Sequence, residues 1–171
     1  MISRRNIRVK VMQTLYTLDA QEQSQKPGEA VTILQKHFDQ SRQLLTYLIY
    51  FITEIARYAE TDSRLRASKH LPSAQDLNVN IKLTGNDYLW KIIEDPSWQK
   101  ALKTDKPQLQ ENKELIRRLY LDLAATDEYK KYITEASREK KSEREILEFI
   151  FLDRMLPNEL FETHIEELFT N

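Results

Sequence analysis

Residues 29–67 read EAVTILQKHFDQSRQLLTYLIYFITEIARYAETDSRLRA. Val31, Phe38, Leu45, Ile52 and Ala59 recur every seven positions, and Leu34, Leu48 and Ile55 fill the companion positions, with Ser41 as a gap. Apolar residues at that interval share one side of a helix and form a bundle-type seam. Leu44, Tyr47, Phe51 and Tyr58 add a second apolar face. A helix wet on so little of its surface belongs at the centre of a bundle. The stretch therefore predicts one long helix, or two in line, and an all-α fold: a helical bundle with one long central helix and several shorter helices.

The flanking sequence supports that class. Upstream, residues 3–23 read as a helix capped by Ser3, with Ile7, Val11, Leu15 and Leu18 at spacings of four, four and three on one buried face. Gln23-Ser-Gln-Lys-Pro-Gly28 breaks it. Downstream, residues 68–85 carry Pro72, Asn78, Asn80 and Gly85 and read as an extended, ordered loop, with Leu71, Leu77, Val79, Ile81 and Leu83 packing it on the surface. Shorter helices follow. One starts at Asn86 or Asp87 and runs through Ile93, and Asp95-Pro96 supplies a cap followed by proline at the first helical position of the next. Trp90 and Trp98 fall on these two helices as core candidates, and residues 103–107 connect onward. Residues 108–125 form a helix with stripes of Leu115, Leu119, Leu123 and of Ile116, Tyr120; Thr126 caps the following one. Ser142 and Glu145 make a capping-box pattern before Ile146, Phe149, Ile150 and Leu152, and Pro157-Asn158 precedes a last helix over 159–169.

Composition narrows the class further. A chain of 171 residues is long enough to bury roughly 70% of its unfolded surface, as one domain or two small subdomains, here expected over 1–68 and 86–171. Only Gly28 and Gly85 are glycines, which excludes a glycine-rich phosphate loop and disfavours a turn-dense sheet protein. There is no cysteine, so disulfides, thiolate metal sites and cysteine nucleophiles are excluded. The longest uncharged apolar stretch, Leu44 to Ile52, is far short of the ~20 residues that span a bilayer. The expected location is the cytoplasm, with no membrane partner.

Charge is distributed unevenly. The net charge is −1, and residues 1–13 hold Arg4, Arg5, Arg8 and Lys10 without an acid, so residues 14–171 carry −5. A helix N-terminus carries partial positive charge and favours Asp or Glu in its first turn. This cluster works against the helix it opens, and phosphate is the partner class that three arginines on one short segment suit best. The competing reading is a solvated basic tail. The mixed-sign run Arg138-Glu-Lys-Lys-Ser-Glu-Arg144 reads as a solvated linker and helix start.

Other chemistry lacks a pattern. His37, His70 and His164 stand far apart, with no second histidine or carboxylate at a metal-binding spacing. The acids scatter along wet faces, as on the last helix with Glu159, Glu162, Glu166 and Glu167. No nucleophile elbow or Walker loop is present. No catalytic residue, metal or cofactor is expected, and the chain is not read as an enzyme. The aromatics Tyr47, Tyr50, Phe51 and Tyr58 read as core rather than as a base-stacking platform.

The first helix reads Arg4-Arg5-x-x-Arg8-x4-Gln13-x-Leu15-Tyr16. This resembles the opening of the bacterial transcription antitermination factor NusB family, six positions matching at the right spacing. A looser similarity extends through the long helix to Ser68-Lys-His-Leu-Pro72 and Asp76-Leu-Asn-Val-Asn80, as in longer variants of that family. The resemblance implies an all-helical, non-enzymatic RNA-binding factor. It acts with the ribosomal protein NusE on single-stranded nascent RNA and keeps RNA polymerase from terminating. Carried over by motif, Arg4, Arg5 and Arg8 are the RNA contacts; Lys10 joins them on charge alone. Gln13, Leu15 and Tyr16 are expected to hold the helix to the body. The family's Asn-Glu helix and Phe-x-Asn-Gly-x-Leu-Asp element are absent, so the chain is expected to be the N-terminal portion of a longer protein. The alternative is a helical protein-interaction or architectural module without direct RNA contact.

Overall fold

The computed structural model of the chain describes residues 3–21 and 26–169. Every regular element among the described residues is helical. The α-helices are α1 (Arg4–Asp19), α2 (Glu29–Ala67), α3 (Ala74–Leu77), α4 (Asp87–Glu94), α5 (Pro96–Asp105), α6 (Lys113–Ala124), α7 (Asp127–Thr134), α8 (Lys140–Phe149) and α9 (Glu159–Phe169). Short 3₁₀ turns cover Lys82–Gly85 and Pro107–Gln110, and α8 runs into a π-helical segment, Ile150–Met155. The fold is all-α, as the sequence implies. Residues 29–67 form one helix of 39 residues, about 58 Å long. The chain divides into two compact units at 45/46, inside α2 rather than within 68–85.

The first unit, residues 1–45, holds α1 and the start of α2. Ser3 accepts a hydrogen bond from the Asn6 N–H at 3.2 Å and caps α1. The helix ends at Asp19, short of the expected 23; Gln23, Ser24 and Gln25 of the expected break lie outside the described residues. Gly28 adopts φ +87°, a left-handed conformation that a side chain disfavours, just before α2 begins. This unit has little core. Among its described residues only Thr14 and Leu18 are buried. Ile7, Val11 and Leu15, expected on a buried face, are exposed. The reason lies in the local contact: the Thr14 hydroxyl donates to the Lys10 carbonyl at 2.8 Å and sits 3.2 Å from His37 Nδ1. Cover is provided near Thr14 and Leu18 and does not extend to Ile7 or Val11.

The second unit, residues 46–171, holds the hydrophobic core. Its spine is Tyr47, Phe51, Ile55 and Ala59 on α2, four residues apart and each nearly or fully buried. The seven-residue seam expected from Val31 to Ala59 is borne out at its end, where Ile55 and Ala59 are buried and Ile52 packs on the core, and not at its start. Val31 and Leu45 are exposed, and the stripe begun by Tyr47 and Phe51 faces the core. Phe51 meets Phe161 of α9 at a centroid distance of 5.0 Å, and Tyr120 of α6 meets Tyr58 at 5.2 Å. These tilted ring pairs add about 1 kcal/mol each beyond area burial.

Caps set the short helices as the sequence suggests at four places. Asn86 accepts from the Tyr88 and Leu89 amides at α4. Asp95 accepts from the Ser97 amide at 2.8 Å, with Pro96 at the first helical position of α5. Thr126 accepts from the Tyr129 amide at α7, and Asn158 from the Phe161 amide at α9. Three details differ. Residues 107–110 form a 3₁₀ turn, and α6 begins at Lys113 behind an Asn112 cap. Ser142 is no cap: α8 starts at Lys140, and the Ser142 hydroxyl donates to Glu135 Oε2 at 2.7 Å. Trp98 is buried, whereas Trp90 is 48% exposed because α4 turns Leu89 inward and its neighbour away.

Residues 68–85 carry more structure than the expected loop. Ser73 and Asp76 make a reciprocal capping box around α3, and Lys69 pairs with Asp76 at 2.7 Å. Only Leu83 of its five apolar residues is buried; Leu71, Leu77 and Ile81 face solvent. The segment is anchored by polar bonds instead. Lys82 Nζ donates to the carbonyls of Tyr132, Glu135 and Ser137 at 2.7, 3.0 and 3.2 Å, closing the C-terminal end of α7.

Candidate nucleic-acid interface

Arg4, Arg5 and Arg8 sit in the first two turns of α1, all exposed, and Lys10 is half-buried. Arg4 and Arg8 are one turn apart, as are Arg5 and Arg8, so the three guanidinium groups share a side of the helix. The first turn of α1 holds no acid. Several other cations in the fold have anionic partners. Arg57 pairs with Glu54 at 2.9 Å, Arg66 with Asp62 at 3.0 Å, Arg117 with Glu114 at 3.1 Å, Arg144 with Glu148 at 3.3 Å and Lys141 with Glu145 at 3.7 Å. None of Arg4, Arg5, Arg8 and Lys10 has a side-chain ion pair or hydrogen bond among the described residues. Their geometry suits phosphate oxygens, which guanidinium forks bind in pairs.

The same side continues beyond the arginines. Met12, Leu15 and Tyr16 are 66%, 56% and 77% exposed. The sequence reading assigned Gln13, Leu15 and Tyr16 to anchoring; all three are exposed, which overturns that role. The signal that distinguishes them is contact with α2, which helical spacing alone does not encode.

Elsewhere a set of buried polar groups is committed to structure. Glu143 is fully buried. Its carboxylate accepts from the Tyr132 hydroxyl at 2.7 Å, the Asp87 amide at 2.7 Å and Arg138 Nη1 at 3.2 Å, while its carbonyl accepts from Asn86 Nδ2 at 2.9 Å. Arg138 also donates to the Lys82 carbonyl at 3.0 Å and lies directly over Gly85, where a β-carbon would come within 2.9 Å of its Nη2. This network joins α4, α7 and α8 and engages both oxygens of the Glu143 carboxylate.

The Tyr47 hydroxyl donates to the Gln110 carbonyl at 2.9 Å, so the 2.6 Å contact to His164 Nε2 requires the histidine to donate. Burial lowers the His164 pKa below its usual 6.5, against a smaller upward pull from Glu167. Burial likewise raises Tyr47, well beyond the ordinary phenol range. Among the described residues no group of three or more His, Cys, Asp or Glu is placed to hold a metal ion.

Two of the clefts among the described residues lie in the second unit. One of about 250 Å³ lies between α7 and α8 over Tyr132, Ile146 and Phe149; the other, about 320 Å³, lies between α6 and α9 and includes Arg118 and His164. No helix of the described residues is long and apolar enough to cross a membrane. Comparison with protein-family models, with curated proteins and with solved structures found no match.

Proposed function

We propose that this chain is an RNA-binding transcription antitermination factor of NusB type. In this reading α1 holds single-stranded nascent RNA in a complex with the ribosomal protein NusE and RNA polymerase. The observation that carries the reading is the set of four cations in the first half of α1, three of them exposed, none paired with an acid among the described residues. Arg4, Arg5 and Arg8 take phosphate oxygens through their guanidinium forks, and Lys10 adds a point charge. Single strands suit a short helix because their backbone can be drawn along it, whereas the deep major groove of an RNA duplex is closed to side chains.

Binding of a fluorescent single-stranded RNA, with a duplex of the same sequence as competitor, tests this. The chain is expected to prefer the single strand, and Arg4→Ala, Arg5→Ala and Arg8→Ala together are expected to weaken binding at least about 100-fold at low salt. Unchanged affinity in the triple variant would remove the assignment. The second reading, a protein-interaction module, is favoured by Met12, Leu15 and Tyr16 standing open beside the arginines. A partner captured equally well by the triple variant after nuclease treatment would support it.

A further inference from the structure

The cleft between α7 and α8 in the second unit has an apolar floor. Tyr132 and Ile146 are buried beneath it, and Phe149 stands half-buried along its α8 side. Its walls are tied in place. The Ser142 hydroxyl donates across it to Glu135 Oε2 at 2.7 Å, and the Lys82 ammonium lies 4.4 Å from the centre of the Tyr132 ring. A groove fixed in this way loses little freedom when something enters it. Its rim is acidic. Glu128 and Glu145 are exposed and Glu135 half-buried, against Lys131 among the lining residues. Lys141 reaches Glu145 at 3.7 Å, but both are mostly exposed and such a pair contributes little. The Glu128 carboxylate has no ion pair or hydrogen bond among the described residues. The surrounding sequence has the same sign, with thirteen acids against seven lysines and arginines over 121–169. A volume of about 250 Å³ falls below the ~300–1,000 Å³ of pockets that enclose a small ligand. It has room for one or two side chains of an incoming segment.

We propose that the α7–α8 groove docks a basic amphipathic segment of a protein partner. An apolar side chain of that segment sits over Tyr132, Ile146 and Phe149, and its arginines or lysines meet Glu128, Glu135 and Glu145. Charge complementarity selects this occupant. Lysine and arginine lay their methylene stems on an apolar floor and keep their charged heads at the rim, and a guanidinium also suits the face of the Phe149 ring. Phosphates of a nucleic acid would meet three carboxylates instead. A second copy of the same groove would set those acids against their own kind. The docking site stands on the second unit and does not depend on RNA binding by α1.

The probe is a synthetic dye-labelled helix of about 14 residues, with leucines at spacings of three and four and arginines beside them. Titrated with the full chain, it should bind saturably in the micromolar range and shift the backbone amides between 128 and 149 most. Glu128→Gln with Glu145→Gln, both at exposed positions, should weaken binding at least about fivefold. Glu162→Gln with Glu166→Gln on α9 makes the same change in net charge and should leave affinity within about twofold. On the unaltered chain, a probe with glutamine in place of its leucines should bind at least about tenfold more weakly. No binding at about 1 mM probe would overturn the proposal. So would equal weakening by the two pairs of substitutions, the mark of unspecific attraction, or indifference to the loss of the leucines. The same amides shifting more strongly with single-stranded RNA, or on concentrating the chain alone, would give the groove to a nucleic acid or a second copy and likewise overturn it.

Discussion

At the scale of single residues, the fold separates two kinds of charge. Glu143 and Arg138 are held by bonds on several sides, and the basic residues of α1 by none among the described residues. Replacing Glu143 with leucine leaves the Tyr132 hydroxyl, the Asp87 amide and Arg138 without their acceptor. The expected loss is about 3 kcal/mol of stability in chemical denaturation; a loss below about 0.5 kcal/mol, the range of ordinary surface changes, would contradict the role given to this network. Replacing Arg4, Arg5 or Arg8 with alanine should leave stability within about 0.5 kcal/mol, or raise it slightly, because each opposes the α1 dipole. His164 adds a pH dependence. Its folded pKa lies below 6.5, so the unfolded chain binds more protons between the two values, and stability falls as pH is lowered through 6.5. Denaturation midpoints at pH 7.5 and 5.5 should show that fall, and His164→Gln, which keeps a donor for Tyr47, should reduce it. Asp76 acts at lower pH: its hydrogen bonds from Lys69 and Ser73 hold its pKa at about 2, and the stability it contributes is lost as pH drops from 3.8 toward that value.

At the scale of elements, the local signals were legible where a cap or a breaker acts alone. Asn86, Asp95-Pro96, Thr126 and Pro157-Asn158 each sit at a helix boundary, because capping satisfies amides within three residues and needs no tertiary partner. Phase along α2 was legible only toward its C-terminal half, where Tyr47, Phe51, Ile55 and Ala59 are buried. Val31 through Ala59 and Tyr47 through Tyr58 are both apolar stripes, and only the elements packed on them decide which is buried. The π-helical segment Ile150–Met155, with the Leu156 amide donating to the Phe151 carbonyl at 3.0 Å, has no sequence mark that periodicity could read. The arginines of the candidate interface were legible as a charge pattern, whereas the exposure of Leu15 and Tyr16 was not, since it depends on where cover by α2 ends. Lys82 is a further case: a lysine in a loop that caps the far end of α7. Lys82→Met should destabilise the chain by about 1–2 kcal/mol and raise amide exchange in the last turn of α7.

At the scale of the whole molecule, burial is concentrated in residues 46–171, and the proposed function in residues 1–45. A unit with so few buried apolar groups opens locally at lower free energy than one with a continuous core. Amides of α1 should therefore exchange markedly faster than those between Tyr47 and Asp62 on α2; equal protection would show that α1 is held by more than Thr14 and Leu18. A helix that is only locally ordered can still bind RNA if its cations reach the strand together, and the salt dependence of binding counts those contacts. Four phosphates neutralised on a single strand predict a log–log slope of affinity against salt near −3, falling to about −0.7 when Arg4, Arg5 and Arg8 are alanine and Lys10 remains. A slope and affinity unchanged by those three substitutions would contradict the assignment of α1 to RNA.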